Sequence, residues 1–498
     1  MSPLELGLWS FPVLLVLIFL RAPIGLAMLL CGIGGLWLSL GSPDVVLAKL
    51  KSETYSTFSS YSLSIIPMFL LMGQFATLSG LSSALFKAAE SWLGHRKGGV
   101  AMAAVGACAG FGAICGSSLA TAATMSRVAL PELRRNGYSG GFSTATLAAG
   151  GTLGILIPPS VILVIYAILT EQNIAKLFLA AFVPGLLAAL GYMIAISIYV
   201  RRHPEAAGMR APVPYAERWR ALLDVWPVLV VFALVVGGIY LGWFTPTEGA
   251  AVGAAGTGLI ALVSGSLSWA VFKQSIIQTA VSTAMIFFIV LGASFYNGFL
   301  ALSQVPQELS NWVVDMGLSP FMVLSLILLF YLVFGCLMDS LSMILLTIPI
   351  FFPVISVMDF GFVDLAAMQA DAAREALAAG AVNGMGQEML ASIEAALATG
   401  AELTREQMQA LDIRVTQGMA NRIEAEWVAI WFGILVLIVV EVGLITPPVG
   451  MNLFIINSMD RDTPMMETYK AVIWFVTSDI LRVILLVMFP AITLFWLY

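Results

Sequence analysis

The chain has 498 residues, 60% of them hydrophobic and only 10% charged, against roughly a quarter charged in an average soluble domain. Its mean hydropathy is +0.97, and apolar runs of about 20 residues, enough helix to cross a bilayer's hydrocarbon core, recur along nearly the whole length, which excludes an ordinary soluble enzyme. The net charge of −6 is local: between Asp364 and Glu426 there are ten acids and four bases, and the rest of the chain carries 19 of each sign.

Taken in chain order, the apolar runs fall near residues 7–20, 23–40, 61–79, 98–130, 141–170, 178–200, 222–243, 247–270, 276–299, 319–357, 427–457 and 471–497. A membrane β-barrel would instead show segments of about ten residues with alternating polarity. The fold class expected is therefore an all-α polytopic membrane protein. The first run lacks the cleavage pattern of a secretory signal peptide and reads as a retained helix. Four runs are not simple spans. Two of them, 98–130 and 319–357, are long enough to enter the membrane and return, while 141–170 and 427–457 carry Pro158-Pro159 and Pro447-Pro448 where a helix should be continuous. Proline removes a backbone donor and clashes with the preceding turn, so the chain is expected to unwind there.

These four segments form two matching pairs. Ser117 precedes Pro131 by 14 residues and Asp339 precedes Pro353 by 14, so one offset of 222 superposes the hairpins. Gly154-Ile-Leu-Ile-Pro-Pro-Ser160 and Gly443-Leu-Ile-Thr-Pro-Pro-Val449 match at an offset of 289, an increase close to the 63 residues of the acidic segment. The second half reads as the first half plus an insertion. The expected division is N-terminal scaffold helices (1–60), a first repeat (61–200) with hairpin 98–135 and broken helix 141–170, a cytoplasmic loop with scaffold helices (201–275), the start of a second repeat (276–363) with hairpin 319–357, the acidic helical insertion (364–426), and the second broken helix with the last helix (427–498).

Orientation follows from the bases. Five arginines in 201–220 and the basic stretches 87–97 and 127–135 face the cytoplasm by the positive-inside rule. The first hairpin then opens to the cytoplasm and the second to the outside, the inverted topology of transporters with discontinuous helices at the midplane. The insertion lands on the periplasmic face. Two amphipathic stretches, 81–94 and 304–317, precede the hairpins and read equally as interfacial arm helices or as surface connectors.

Irregular backbone at membrane depth requires protein or a polar cavity to satisfy it, so the four interruptions should converge. Oxygen-rich tips and unwound carbonyls suit a hard cation, and the helix N-termini at the same place suit a carboxylate. The candidate substrate residues are Ser117, Ser118, Thr121, Pro158, Pro159, Ser160, Asp339, Ser340, Pro447, Pro448 and Asn452, with Ser342 beside them. Asp339 is open to three readings: cation ligand, proton relay, or N-cap of the returning helix. Asp479 and Arg482, three residues apart, read as an ion pair on one helical face. Glu441, in an apolar run, is left without a role. The histidines His95 and His203 lie in basic loops and are expected to be solvated. Cys31, Cys108, Cys115 and Cys336 lack metal-ligand spacing and read as buried apolar residues. No HExxH, serine-triad or Walker pattern occurs, so no enzyme activity and no cofactor is expected.

The runs Gly116-Ser-Ser-Leu-Ala-Thr121, Gly151-Thr-Leu-Gly-Ile-Leu-Ile-Pro-Pro-Ser160, Phe244-Thr-Pro-Thr-Glu-Gly249 and Gly443-Leu-Ile-Thr-Pro-Pro-Val-Gly-Met-Asn452 resemble the large membrane subunit of tripartite ATP-independent periplasmic (TRAP) transporters, over about residues 1–360 and 427–498. The resemblance implies sodium-driven import of an organic acid across the bacterial inner membrane by an elevator mechanism. It also implies a small membrane subunit and a periplasmic substrate-binding protein as partners. By the same resemblance, one sodium maps onto Ser117, Ser118, Gly151 and Thr152, and a second onto Gly335, Gly443, Thr446 and Val449. The position symmetric to Thr446 is Ile157, which has no side-chain oxygen. Two alternatives compete: a stand-alone secondary anion transporter without a binding protein, and a scaffolding membrane protein, for which the symmetric broken helices would be unexplained.

Overall fold

The computed structural model describes residues 2–78, 80–379 and 386–497, and among these every regular element is helical. In chain order they are α1 (Pro3–Phe19), α2 (Ile24–Leu40), α3 (Pro43–Ser59), α4 (Ile65–Leu78), α5 (Leu81–Leu93), α6 (Gly99–Cys115), α7 (Ser118–Arg135), α8 (Gly140–Leu156), α9 (Val161–Leu169), α10 (Ile174–Arg202), α11 (Tyr215–Leu223) and α12 (Trp226–Phe232). After a π-turn follow α13 (Gly238–Tyr240), α14 (Pro246–Val263), α15 (Trp269–Ser303), α16 (Val305–Asp315), α17 (Pro320–Gly335) and α18 (Ser340–Ser356). The last are α19 (Leu365–Ala378), α20 (Gln387–Thr399), α21 (Arg405–Ala410), α22 (Gln417–Ile445), α23 (Met451–Met459), α24 (Met465–Met488) and the single turn α25 (Ala491–Leu494). Among the described residues α10, α15, α22 and α24 are each long and apolar enough to span a membrane.

Local chemistry sets the helix ends. The Thr245 hydroxyl caps α14 and the Glu248 carboxylate returns to the Thr245 N–H, a reciprocal capping box with Pro246 in the first turn. Gly116 ends α6 in the left-handed conformation, at φ +64°, which lets the chain reverse into α7.

The helices form two bodies. In the frame, α2 crosses α15 and α4 crosses α14. A Cβ on Gly32 would lie 2.7 Å from the Phe295 carbonyl carbon, so a glycine is needed for the first crossing. The inner body gathers α6 to α10, α17, α18 and α22 to α24, and its central helix α22 is buried over its apolar length. Between the bodies lie α5, packed on α4, α6, α7 and α11, and α16, packed on α1, α15 and α18. The two amphipathic stretches are thus arms reaching from frame to hairpin.

One end of the molecule is basic. There Arg134 pairs with Asp460, Arg210 with buried Glu90, Ser139 N–H donates to Ala206 O at 3.0 Å, and Arg210 N–H to Gly94 O at 3.1 Å. Burial pushes the Glu90 carboxyl above its usual range, and Arg210 beside it pulls it partly back. His203 is half exposed, but His95 is not solvated as expected: it is half-buried and its Nδ1 is enclosed without a partner.

The acidic segment sits at the opposite end, where Lys176 at the start of α10 meets Glu426 at 2.5 Å. Its described residues fold as three helices on a small core of their own, Ala373, Ile393, Leu403 and Leu411, with Thr404 and Gln407 closing a capping box on α21. Its boundary differs from the expected one. Thr416 caps α22, which runs unbroken from Gln417, so residues 417–426 are the polar first turns of the broken helix. The expected division at 275/276 also falls inside a continuous helix, α15.

Candidate functional site

Each hairpin crosses its broken helix glycine to glycine. A Cβ on Gly112 would lie 2.4 Å from Gly154 Cα, and a Cβ on Gly443 would lie 2.5 Å from the Gly335 carbonyl carbon. No side chain fits on Gly112 or on Gly443, so backbone polar groups of hairpin and broken helix come together at membrane depth. The periodicity of the sequence did not single out Gly112; a glycine one turn before a hairpin tip was the available signal.

The tips then close on the breaks. At Gly116 a Cβ would sit 3.2 Å from Pro159 O, and in the second half Gly450 N–H donates to Cys336 O at 3.3 Å. Both Pro-Pro bonds are cis. The repeats also interlock: α9 packs on α18, and α23 packs on α7. Four helices therefore end at this junction (α6, α8, α17, α22) and four begin there (α7, α9, α18, α23). The ending helices present carbonyls with partial negative charge and the beginning ones N–H groups with partial positive charge.

Side chains cap the starts. Ser117 accepts Ala120 N–H at 3.4 Å, Ser160 accepts Leu163 N–H at 3.4 Å, and Asp339 accepts Ser342 N–H at 3.0 Å and the Ser342 hydroxyl at 2.5 Å. Of the three readings of Asp339, the N-cap is thus present in the geometry. It leaves the carboxylate half-buried and still able to accept further bonds.

The structure brings most of the candidate residues together. Ser117 O and Thr121 lie against Gly154, and Ser118 O lies against Gly151. Gly335 and Gly443 form the second crossing; Thr446 N–H donates to Gly443 O at 3.0 Å and its hydroxyl donates to Val442 O at 2.6 Å, leaving the oxygen's lone pairs to accept, with Val449 beyond the Pro-Pro break. Asn452 in α23 reaches Ala148 O of α8 at 3.4 Å. Thr152 behaves differently. Its hydroxyl bonds Ala149 O at 2.7 Å and lies 2.9 Å from Tyr192 Oη, which donates to Asp479 at 2.8 Å; Asp479 pairs with Arg482 at 2.7 Å. That buried chain ties α8 to α10 and α24, and Tyr192 in it went unnoticed in the sequence because no motif surrounds it.

Several buried polar atoms at the junction lack a well-formed hydrogen bond: Ser118 Oγ, Thr121 Oγ1, Asn452 Oδ1 and both carboxyl oxygens of Glu441, whose carboxyl has Ser118 and Ser340 beside it. Protein interiors rarely leave such groups unpaired. Their concentration where eight helix ends meet marks this junction as the candidate site.

The family model described as "Tripartite ATP-independent periplasmic transporter, DctM component" matches residues 11–492. The chain belongs to the TRAP transporter large-subunit family. It is 32% identical over 464 residues to the C4-dicarboxylate TRAP transporter large permease protein DctM of Pseudomonas aeruginosa, covering 93% of this chain and 92% of that one. It is 26% identical to the sialic acid TRAP transporter permease protein SiaT of Haemophilus influenzae, over 97% of this chain and 66% of that protein. In fold it resembles the Alcanivorax borkumensis YdaH transporter, with a TM-score of 0.57 at 14% identity and 98% coverage of both chains. This TRAP subunit is a multi-pass protein of the bacterial inner membrane and a transport permease rather than an enzyme. The stand-alone alternative is not favoured.

Proposed function

We propose that this subunit imports a small organic carboxylate coupled to sodium, receiving it from a periplasmic binding protein and working beside a small membrane subunit. The observation that carries the reading is the paired glycine crossing, with unpartnered oxygens gathered around it. Helix C-termini and hydroxyls offer a hard cation oxygen ligands. Helix N-termini a few ångströms away offer a carboxylate N–H donors. Sodium at Ser117, Ser118, Gly151 and Thr152, the last through its main chain, and at Gly335, Gly443, Thr446 and Val449, would fix the tips against the breaks. It would thereby complete the carboxylate site around Ser118, Thr121, Ser160, Ser340 and Asn452. Coupling follows if sodium binds the tip-closed state better than the open one.

The named relatives are permeases for C4-dicarboxylates and for sialic acid, all carboxylates, and this supports the substrate class. The arms α5 and α16 between frame and inner body support an elevator motion, in which the inner body carries both sites as a unit. The test is uptake of labelled succinate and of sialic acid into proteoliposomes with both partners, with and without a sodium gradient. Sodium-independent uptake without the binding protein would refute the reading. Thr446→Ala is expected to raise the sodium concentration for half-maximal uptake about tenfold, the loss of roughly 1.4 kcal/mol of binding; an unchanged value would remove the second site assignment.

A further inference from the structure

Six charged residues are buried among the described residues: Glu90, Arg218, Glu441, Asp460, Asp479 and Arg482. Three belong to the basic end and are compensated there. Glu90 pairs with Arg210, Asp460 pairs with Arg134, and Arg218 donates to Val213 O at 2.8 Å. The other three lie inside the membrane body, and Asp479 with Arg482 forms a neutral pair. Glu441 remains, 1% exposed, with no cationic partner; the hydroxyls of Ser118 and Ser340 are the hydrogen-bonding groups beside its carboxyl.

Its surroundings do not supply the missing charge. Ser340 and Ser118, the first residues of the returning helices of the two hairpins, stand beside its carboxyl group, and the ionisable group that bears on it is Asp479, which has the same sign. The N-termini of α7 and α18 favour an anion there, but two hydroxyls and partial charges do not replace a counter-ion for a fully buried carboxylate. The position symmetric to Glu441 at the offset of 289 is Thr152, whose hydroxyl is satisfied through Ala149 and Tyr192. The acid has been placed on one side of the pseudo-symmetric pair only, and without a counter-charge.

We infer that Glu441, with the hydroxyls of Ser118 and Ser340, holds a monovalent metal cation between the two hairpin tips, a site additional to those at the two glycine crossings and sharing Ser118 with the first. One carboxylate and two hydroxyls give an oxygen set suited to a hard cation, and the bound charge neutralises the buried body. Because the set takes one ligand from each hairpin and one from α22, the cation is held fully only when both tips are closed. The inference deepens the sodium-coupled reading and rests on it.

The test is sodium binding to the purified full-length chain without substrate, by equilibrium binding of radioactive sodium and by sodium-dependent thermal shift. Glu441→Gln is expected to bind one sodium fewer at saturation than the wild type and to show a smaller sodium-induced shift. Its thermal midpoint in sodium-free buffer should equal or exceed that of the wild type, because an uncompensated buried charge is gone. Ser340→Ala keeps the carboxylate and is expected to raise the half-saturating sodium concentration about threefold, so it decides the matter if the first variant does not fold. Unchanged sodium stoichiometry in Glu441→Gln, or a proton rather than a sodium lost from its binding, would overturn the inference. Absence of sodium binding to the wild type would instead overturn the sodium-coupled reading.

Discussion

The two breaks share a backbone and differ in nearly everything else. Residues 151–160 are buried throughout, whereas Thr446, Pro447 and Val449 are half-buried and Pro448 is exposed. Ser117 caps one hairpin and Asp339 the other; Ile157 stands opposite Thr446, and Thr152 opposite Glu441. What both halves keep is a glycine facing a glycine where hairpin meets broken helix. The conserved device is close backbone approach, which assembles helix ends whatever side chains follow, and the side chains then give each half its own chemistry. The second half has carboxylates, Asp339 and Glu441, where the first has the hydroxyls of Ser117 and Thr152, which places the charged ligand chemistry there.

The largest effects are expected at the crossings. Gly112→Ala and Gly443→Ala each put a Cβ about 2.5 Å or less from facing backbone, where no flexible side chain can give way, and each should cost about 3 kcal/mol. Gly335→Ala meets its nearest atom at 3.3 Å and should cost less than about 1 kcal/mol. Gly34→Ala on α2 has nothing within 4 Å and should be neutral or stabilising by up to about 1 kcal/mol. Thermal unfolding in detergent ranks the four, and equal values for Gly112→Ala and Gly34→Ala would break the claim of a shared crossing.

Next come the polar groups that distinguish the halves. Tyr192→Phe leaves Asp479 and Thr152 short of a buried partner and should cost about 1–3 kcal/mol, with no equivalent residue to lose beside Glu441. The caps follow. Asp339→Ala removes bonds at 3.0 and 2.5 Å and should cost about 1–2 kcal/mol, more than Ser117→Ala, which removes one bond at 3.4 Å. Asp339→Asn keeps a cap and should recover most of the loss. If it recovered stability but not sodium-dependent uptake, Asp339 would be a ligand as well as a cap.

Much of this was legible because pairing at a fixed offset constrains where helices break, and Pro-Pro leaves little freedom in how. The hairpins, the broken helices and the Asp479–Arg482 pair lie where spacing put them. Two kinds of feature were not legible. The start of α22 at Gln417 was hidden because Arg422, Glu424 and Glu426 read as part of a polar insertion, although a helix leaving the membrane keeps its hydrogen bonds with polar side chains as well as with apolar ones. Glu441 was visible only as an acid in an apolar run. Its neighbours Ser118 and Ser340 come from two hairpins far away in the chain, and only the interlocking of the repeats brings both to it.

The smallest effect on stability, and the sharpest on partnership, is expected from the insertion. Its core of Ala373, Ile393, Leu403 and Leu411 is separate from the main core. The membrane body meets it through α22, where Glu424 accepts the N–H groups of Phe360, Phe362 and Val363 at 3.2, 3.3 and 2.8 Å. Because Glu424 lies beyond Thr416, replacing residues 366–414 with a short flexible linker leaves those three bonds in place. The thermal midpoint should therefore move by less than about 2 °C, a small ΔΔG for a body of this size. Net charge over the deleted stretch is negative and sits on the face opposite the basic end, where a periplasmic binding protein would dock. The truncated subunit should therefore require more binding protein for half-maximal uptake while keeping its sodium dependence. Equal uptake at every binding-protein concentration would make the insertion a tolerated surface module with no part in docking.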